Sequence, residues 1–251
     1  MTLTRLALGA LLVLVLAPLA NVVAIVPPHA LLEALGASTT TAAVRTSLLA
    51  SVAAIGIAAL LGVPAGYTLA RSSGGWRNAG LFALAMPLAL PPVASGVALL
   101  GLVGTRRPLG AFLTAHGVTV VDSLLGVVAA EFFVAGSVVA IVATAAFAGV
   151  DRRLEEAART LGAPPLRVLA TVALPLAWPA VAAGVLLAWL RAIGEYGATS
   201  LVAYHPATLP IELVVALSAD GVERALALAE AFVMLTALAV AVAAIGRRRF
   251  A

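Results

Sequence analysis

The sequence predicts an all-α integral membrane protein with about six transmembrane helices, and three observations carry that prediction. The chain of 251 residues is 63% hydrophobic and only 10% charged, with a mean hydropathy of +1.14. One water-soluble core cannot hide that much apolar surface, so most of it must face lipid. Six apolar stretches are each long enough to cross about 30 Å of hydrocarbon at about 1.5 Å per residue. Only one sizeable polar interruption exists, at 148–177, and neither an internal repeat nor a low-complexity linker divides the chain, so residues 1–251 read as a single membrane domain.

The spans fall at about 6–26, 45–70, 79–103, 123–147, 178–201 and 225–246. Arg5, the apolar run behind it and the small residues from Ala17 to Ala24 also resemble a cleaved signal peptide. The run continues to Val26, longer than an ordinary signal core, and its loss would leave five spans with opposed termini, so it is kept as a span. In the third span Pro87, Pro91 and Pro92 remove backbone donors and should kink or break the helix. A broken helix at membrane depth is tolerated where protein or a water-filled path satisfies the freed carbonyls; a packing kink is the simpler alternative. The fourth and sixth spans hold Glu131 and Glu230, whose roles the sequence leaves open. The fifth holds Arg191 and Glu195 at i and i+4, where they can pair, with Gly194, Gly197 and Ala198 permitting close approach of another helix.

Arginine placement sets the orientation. Arg5, Arg71 and Arg77, the four arginines 152, 153, 159 and 167, and the tail residues Arg247, Arg248 and Arg249 lie on one side of the predicted spans. By the positive-inside rule that side is cytoplasmic, and both termini are expected there. The loops at about 27–44, 104–122 and 202–224 then face outward.

Several chemistries are excluded. The chain has no cysteine, so it offers no disulfide, thiolate catalyst or iron–sulfur site. It also has no lysine, which removes the phosphate-binding P-loop; if ATP drives this protein, another chain binds it. All fifteen basic residues are Arg, in a few clusters without interleaved aromatics, so no nucleic-acid surface is expected. His29, His116 and His205 fall in three separate outer loops with no second ligand at metal spacing, and no metal site is expected. No predicted span contains a histidine to activate a serine, which argues against an intramembrane hydrolase.

Segment 148–177 reads as two short helices. Asp151 can cap the first, Glu155 and Glu156 suit its positive end, and Gly162 can close it in a left-handed bend. Pro164 and Pro165 suit the opening of the second, which Pro175 is expected to end. Glu156-Ala157-Ala158, three residues, Gly162, nine residues, then Val172-Ala173-Leu174-Pro175 resembles the cytoplasmic signature loop of the permease subunits of ABC importers, with Val172 where that pattern has Ile. From about Gly80 onward the resemblance covers most of the chain. MPLALPPVASG (Met86 to Gly96) and RAIGEYGATSLVA (Arg191 to Ala203) are similar to stretches in permeases for tetrahedral oxyanions, molybdate above all. Ala198-Thr199 leans toward the molybdate and tungstate branch, whereas Tyr196 occurs as readily in sulfate permeases. The chain departs from the molybdate pattern at Glu131, where Gln is usual, and at Tyr204-His205-Pro206.

The resemblance implies an ABC type I importer-like permease, multi-pass in a bacterial cytoplasmic (inner) membrane. It would work as a homodimer with two cytoplasmic ABC ATPase subunits, which hold ATP and Mg, and with an extracytoplasmic oxyanion-binding protein. The chain itself would bind no cofactor and catalyse no covalent reaction. Glu156, Ala157, Ala158, Gly162, Val172, Leu174 and Pro175 would form the coupling loop in a cleft of the ATPase. Pro91, Pro92, Ser95, Arg191, Glu195, Tyr196 and Thr199 are the candidates for the translocation path or its gate. Whether Arg191 lends positive potential to the path or only glues helices to Glu195 stays open at this stage. Pro206 to Pro210 would be the rigid part of the surface for the binding protein. Sulfate, thiosulfate or tungstate are the alternative cargoes. A proton-coupled secondary transporter using Glu131, Glu195 and Glu230 is the remaining rival, and it leaves the signature loop unexplained.

Overall fold

Among the described residues five helices are long and apolar enough to span a bilayer, and a sharply bent helix pair brings the number to six where the pair is taken as one span. The computed structural model describes residues 2–248; Arg249 of the tail cluster lies outside them. In chain order the helices are α1 (Thr2–Ile25), α2 (Pro28–Gly36), α3 (Ser38–Arg71), α4 (Gly74–Ala89), α5 (Pro92–Val103), α6 (Pro108–Ala115), α7 (Leu124–Ala148), α8 (Arg152–Thr160) and α9 (Pro165–Val168). A π turn, Leu169–Ala173, leads into α10 (Leu174–Ile193), followed by α11 (Thr199–Val202), α12 (Leu209–Ala219) and α13 (Val222–Arg248).

Of the kink or break expected in the third span, the structure has the break: α4 and α5 meet at an angle of 110° across Leu90 and Pro91. Pro92 opens α5 at a position where its missing N–H removes no helical bond. The fifth span was expected to reach 201, but the helix stops at Gly194 and Glu195 lies beyond it. Pro175 does not end the second cytoplasmic helix, since Pro165–Ile193 is one continuous helical stretch. The π turn closes with Leu174 N–H donating to Leu169 O, and Pro175 follows within the first turn of α10, where a proline costs little. The segments at 27–44, 104–122 and 202–224 hold helices of their own. Prolines 28, 108 and 210 sit in the first turns of α2, α6 and α12, where a fixed φ favours helix entry.

The chain divides into two compact units, residues 1–45 with 207–251, and residues 46–206. In the first, α2, α12 and α13 enclose Val26, Ala34, Leu209, Ala216 and Leu228, while α1 leaves its apolar surface uncovered. Arg224 of α13 reaches Asp220 at 3.0 Å and Glu212 at 3.7 Å. In the second unit α7 is the central helix, packed most extensively against α10 and also against α4, α5 and α11. Small residues make that packing tight. A Cβ on Gly66 would lie 2.8 Å from Ala140 O, and one on Gly184 2.3 Å from Val142 Cγ1, so the backbones approach as only glycine allows.

Candidate functional site: a moored loop and a broken helix

The 148–177 segment builds a rigid bracket from local rules. Asp151 Oδ1 accepts from Arg153 N at 3.0 Å and caps α8. At the other end Gly162 N–H donates to Arg159 O at 2.9 Å and Ala163 N–H to Ala158 O at 3.1 Å, the paired bonds of a Schellman cap. That cap places Gly162 at φ +85°, with open space where a Cβ would stand, so the demand for glycine is conformational and not steric. Leu169 and Leu174 then pack on a core of Ala70, Phe147, Val150, Ala173 and Ala177, which roots the second arm of the bracket in the spans.

The mooring of α8 is the feature the sequence reading missed. Glu155, adjacent to the motif glutamate, is 2% exposed and faces the end of α3. It forms a salt bridge with Arg71, whose Nε lies 2.9 Å from Glu155 Oε1, and Tyr67 Oη donates to Oε2 at 2.7 Å. Arg159, one turn on, reaches the same carboxylate at 3.4 Å, and Arg152 Nη2 donates to Ala70 O at 3.1 Å. Burial would raise the Glu155 carboxyl, but the hydrogen bonds from Arg71 and Tyr67 and the charges of Arg71 and Arg159 outweigh it and hold it below the ordinary carboxylate value. Helical phase carries the only sequence signal. Glu155 and Arg159 share an i, i+4 face, and a second acid beside the motif glutamate marks that face as different from the one Glu156 occupies.

The motif residues themselves divide between anchoring and display. Glu156, Ala157, Gly162 and Pro175 are exposed, Ala158, Val172 and Leu174 half-buried, and Ala173 buried. Beside them Leu161 is 89% and Leu166 81% exposed, two large apolar side chains at the tip of a charged segment.

The path candidates gather around the α4–α5 break. Ser95 and Gly96 of α5 and Thr199 of α11 are buried. A Cβ on Gly197 would lie 2.6 Å from Pro92 Cβ, and one on Gly96 3.0 Å from Ala198 Cα, so the break and the 194–199 turn lie in direct contact. Pro91 and Pro92 remain exposed beside them, and Tyr196 is 38% exposed. Arg191 and Glu195 stand 2.6 Å apart; Arg191 is 42% exposed and Glu195 buried. The other oxygen of Glu195 accepts from Ala198 N at 2.9 Å, so this carboxylate closes the turn as well as meeting Arg191. Thr199 Oγ1 is buried without a hydrogen-bond partner, as are both carboxylate oxygens of Glu131 on α7. Asp122, at φ +51°, accepts from Tyr204 N and donates its own N–H to Val202 O, both at 3.0 Å, tying the loop at 204 to the start of α7. Neither the turn-closing role of Glu195 nor the tie at Asp122 is visible in sequence spacing.

Comparison with known proteins agrees with this architecture. The family described as binding-protein-dependent transport system inner membrane component matches residues 62–250. A probable molybdenum ABC transporter permease protein of Haloferax volcanii is 40% identical over 223 residues, covering 89% of this chain and 81% of its own. A molybdate/tungstate transport system permease protein of Thermococcus kodakarensis is 37% identical over 169 residues, 67% of this chain and 63% of its own. Among solved structures, a bacterial alginate ABC transporter in complex with an alginate-bound periplasmic protein superposes with a TM-score of 0.70 at 16% identity, covering 99% of this chain and 94% of that one, a likeness of fold. The chain is a multi-pass membrane permease with the ABC importer fold, and it belongs to the family of binding-protein-dependent transport system inner membrane components.

Proposed function

We propose that this chain is the membrane-spanning subunit of an ATP-driven importer for a tetrahedral oxyanion, with molybdate as cargo and tungstate as its close competitor. The names of the relatives support the cargo, and the Ala198-Thr199 turn is consistent with it. The observation that carries the mechanism is the capped bracket α8–α9, which shows Glu156, Leu161 and Leu166 outward while Glu155 pins it to α3. Two copies of the chain pair, and each bracket sits in a cleft of a separate ATPase subunit that holds ATP and Mg. This chain contributes no nucleotide site. When the ATPase pair closes, force on the bracket passes through Glu155 to α3 and through the continuous Pro165–Ile193 stretch to Gly194 and the gate. A helix without a break transmits displacement along its axis; the sharp α4–α5 break is where the movement is absorbed.

The bracket lies in the cytoplasm, at an inner membrane, with both termini on that side. The outer helices and the loop tied by Asp122 face an extracytoplasmic binding protein. Arg191, partly neutralised by Glu195, gives the path a weak positive potential. A tight site would slow release of a doubly charged anion, so a weak one suits a conduit.

Proteoliposomes holding the complete transporter test this reading. Uptake of molybdate driven by ATP, absent without the ATPase subunit and indifferent to a proton gradient, is the expected result. Calorimetry of the cognate binding protein against molybdate, tungstate and sulfate assigns the cargo. Uptake driven by a proton gradient without nucleotide would refute the proposal.

A further inference from the structure

The turn between α3 and α4 closes a concavity of about 380 Å³ at the face that carries the α8–α9 bracket. Arg71, Arg77 and Arg152 line it together with Ser72, Ser73 and Asn78, and no acidic side chain does. Of the three guanidiniums, Arg71 is compensated by Glu155 on its far side, and Arg152 gives one N–H to Ala70 O. Arg77 makes no hydrogen bond or ion pair with any described residue, although it is half-buried. The first turn of α4 opens beside it. Ser73 stands at its N-cap with no side-chain cap bond, so the leading N–H groups of the helix lack an intrahelical partner. Two positive charges without an ion-pair partner, the Ser73 hydroxyl, an amide and a helix N-terminus thus converge on one space, while the Ser72 hydroxyl donates to Thr68 O at 2.7 Å.

Arginines that only orient a membrane protein are spread along its loops in water; these three meet in a concavity where the ends of α3, α4 and α7 come together. Trp76, 74% exposed and one residue from Arg77, has the amphipathic ring that belongs at a headgroup layer. We propose that this concavity binds the phosphate of an anionic phospholipid headgroup, with Arg77 and Arg152 as its charged donors. The chemistry required is a tetrahedral phosphoryl group carrying one or two negative charges, which guanidiniums and helix N–H groups recognise together. The membrane position favours a lipid over a soluble anion as its source.

The complete transporter, placed in nanodiscs of phosphatidylcholine with or without phosphatidylglycerol, provides the test. Native mass spectrometry of the released complex is expected to show phosphatidylglycerol retained in preference to phosphatidylcholine. Arg77→Gln should lower that retention by about fivefold, the share of one surface guanidinium. Arg77→Lys should recover most of it, and Arg5→Gln should match wild type. Because Arg77 has no hydrogen-bond or ion-pair partner among the described residues, its loss should leave folding intact, which thermal unfolding in pure phosphatidylcholine checks. Retention unchanged by Arg77→Gln would overturn the proposal. So would inorganic phosphate in pure phosphatidylcholine stabilising wild type as strongly as phosphatidylglycerol does, because that assigns the concavity to a free anion.

Discussion

Glu155→Gln is the most informative single change, because it keeps the shape of the side chain and removes only its charge. In the native structure the carboxylate accepts from Arg71 and Tyr67 and meets Arg159. A hydrogen bond to a charged group contributes about 1.5–3 kcal/mol net, and the neutral amide can still accept from one donor while facing the other with an N–H. The expected loss is therefore about 2–3 kcal/mol, which raises local opening of α8 about 30- to 150-fold. Hydrogen exchange of the reconstituted transporter reads this directly. Amides of α8 should exchange faster by that factor, while those of α7 and α10, which pack through apolar contacts, should not change. Uptake per ATP should fall in parallel as the bracket slackens. A double-mutant cycle with Arg71→Gln isolates the pair. Each single variant strands a largely buried charge, so the double variant should cost clearly less than the sum. Additive effects, or equal acceleration in α8 and α10, would refute the mooring role.

The same carboxylate gives a pH dependence. An unfolded glutamate titrates near about 4.3, and the native value lies lower, so the contribution of Glu155 is complete above that pH and is lost as pH falls from there through the native value. Exchange of α8 in wild type should rise over that interval, and in Glu155→Gln it should not. Gly162→Ala should cost about 1–2 kcal/mol of bracket stability, all of it from the left-handed backbone because the added methyl meets nothing. Gly162→Asn should cost less, and ATP-driven uptake in proteoliposomes ranks the two. Gly197→Ala places a Cβ 2.6 Å from Pro92 and should lower the thermal midpoint and the uptake rate, by about 1–3 kcal/mol in stability. Gly56→Ala, where nothing lies within 4 Å, should leave the uptake rate unchanged and hold or slightly raise the midpoint, since it replaces a glycine inside a helix.

Local chemistry made much of the bracket readable in advance. Asp151 as cap, Gly162 as the left-handed closure and Pro165 as a helix opener follow from properties of single residues, and the structure places each in that role. Pro175 misled because a proline after the helical run from Pro165 to Leu174 reads as a stop. The preceding π turn shifts the register and lets the helix run on to Ile193. The end of the fifth span was misplaced for a related reason. The expected span runs through the polar run from Gly194 to Ser200 as far as Leu201, while the chain turns there, with Glu195 accepting from Ala198 N in place of continued helical bonding. The helices within 27–44, 104–122 and 202–224 were not located in advance, since each is shorter than a span and hydropathy windows smooth it away.

What the sequence determined alone was the solvent and the number of crossings, because apolar length and arginine bias are sums over residues that need no partner. It also determined the bracket, because caps and prolines act within one turn. Tertiary structure alone decided which charges matter. Arg71 and Glu155 are separated by 84 positions and become a buried pair only when the end of α3 meets α8. Likewise the contact of Pro92 with Gly197 exists only once the broken third span folds back onto the turn after α10. Long-range pairing depends on where helices cross, and that is set by small residues such as Gly66 and Gly184 letting backbones close on α7.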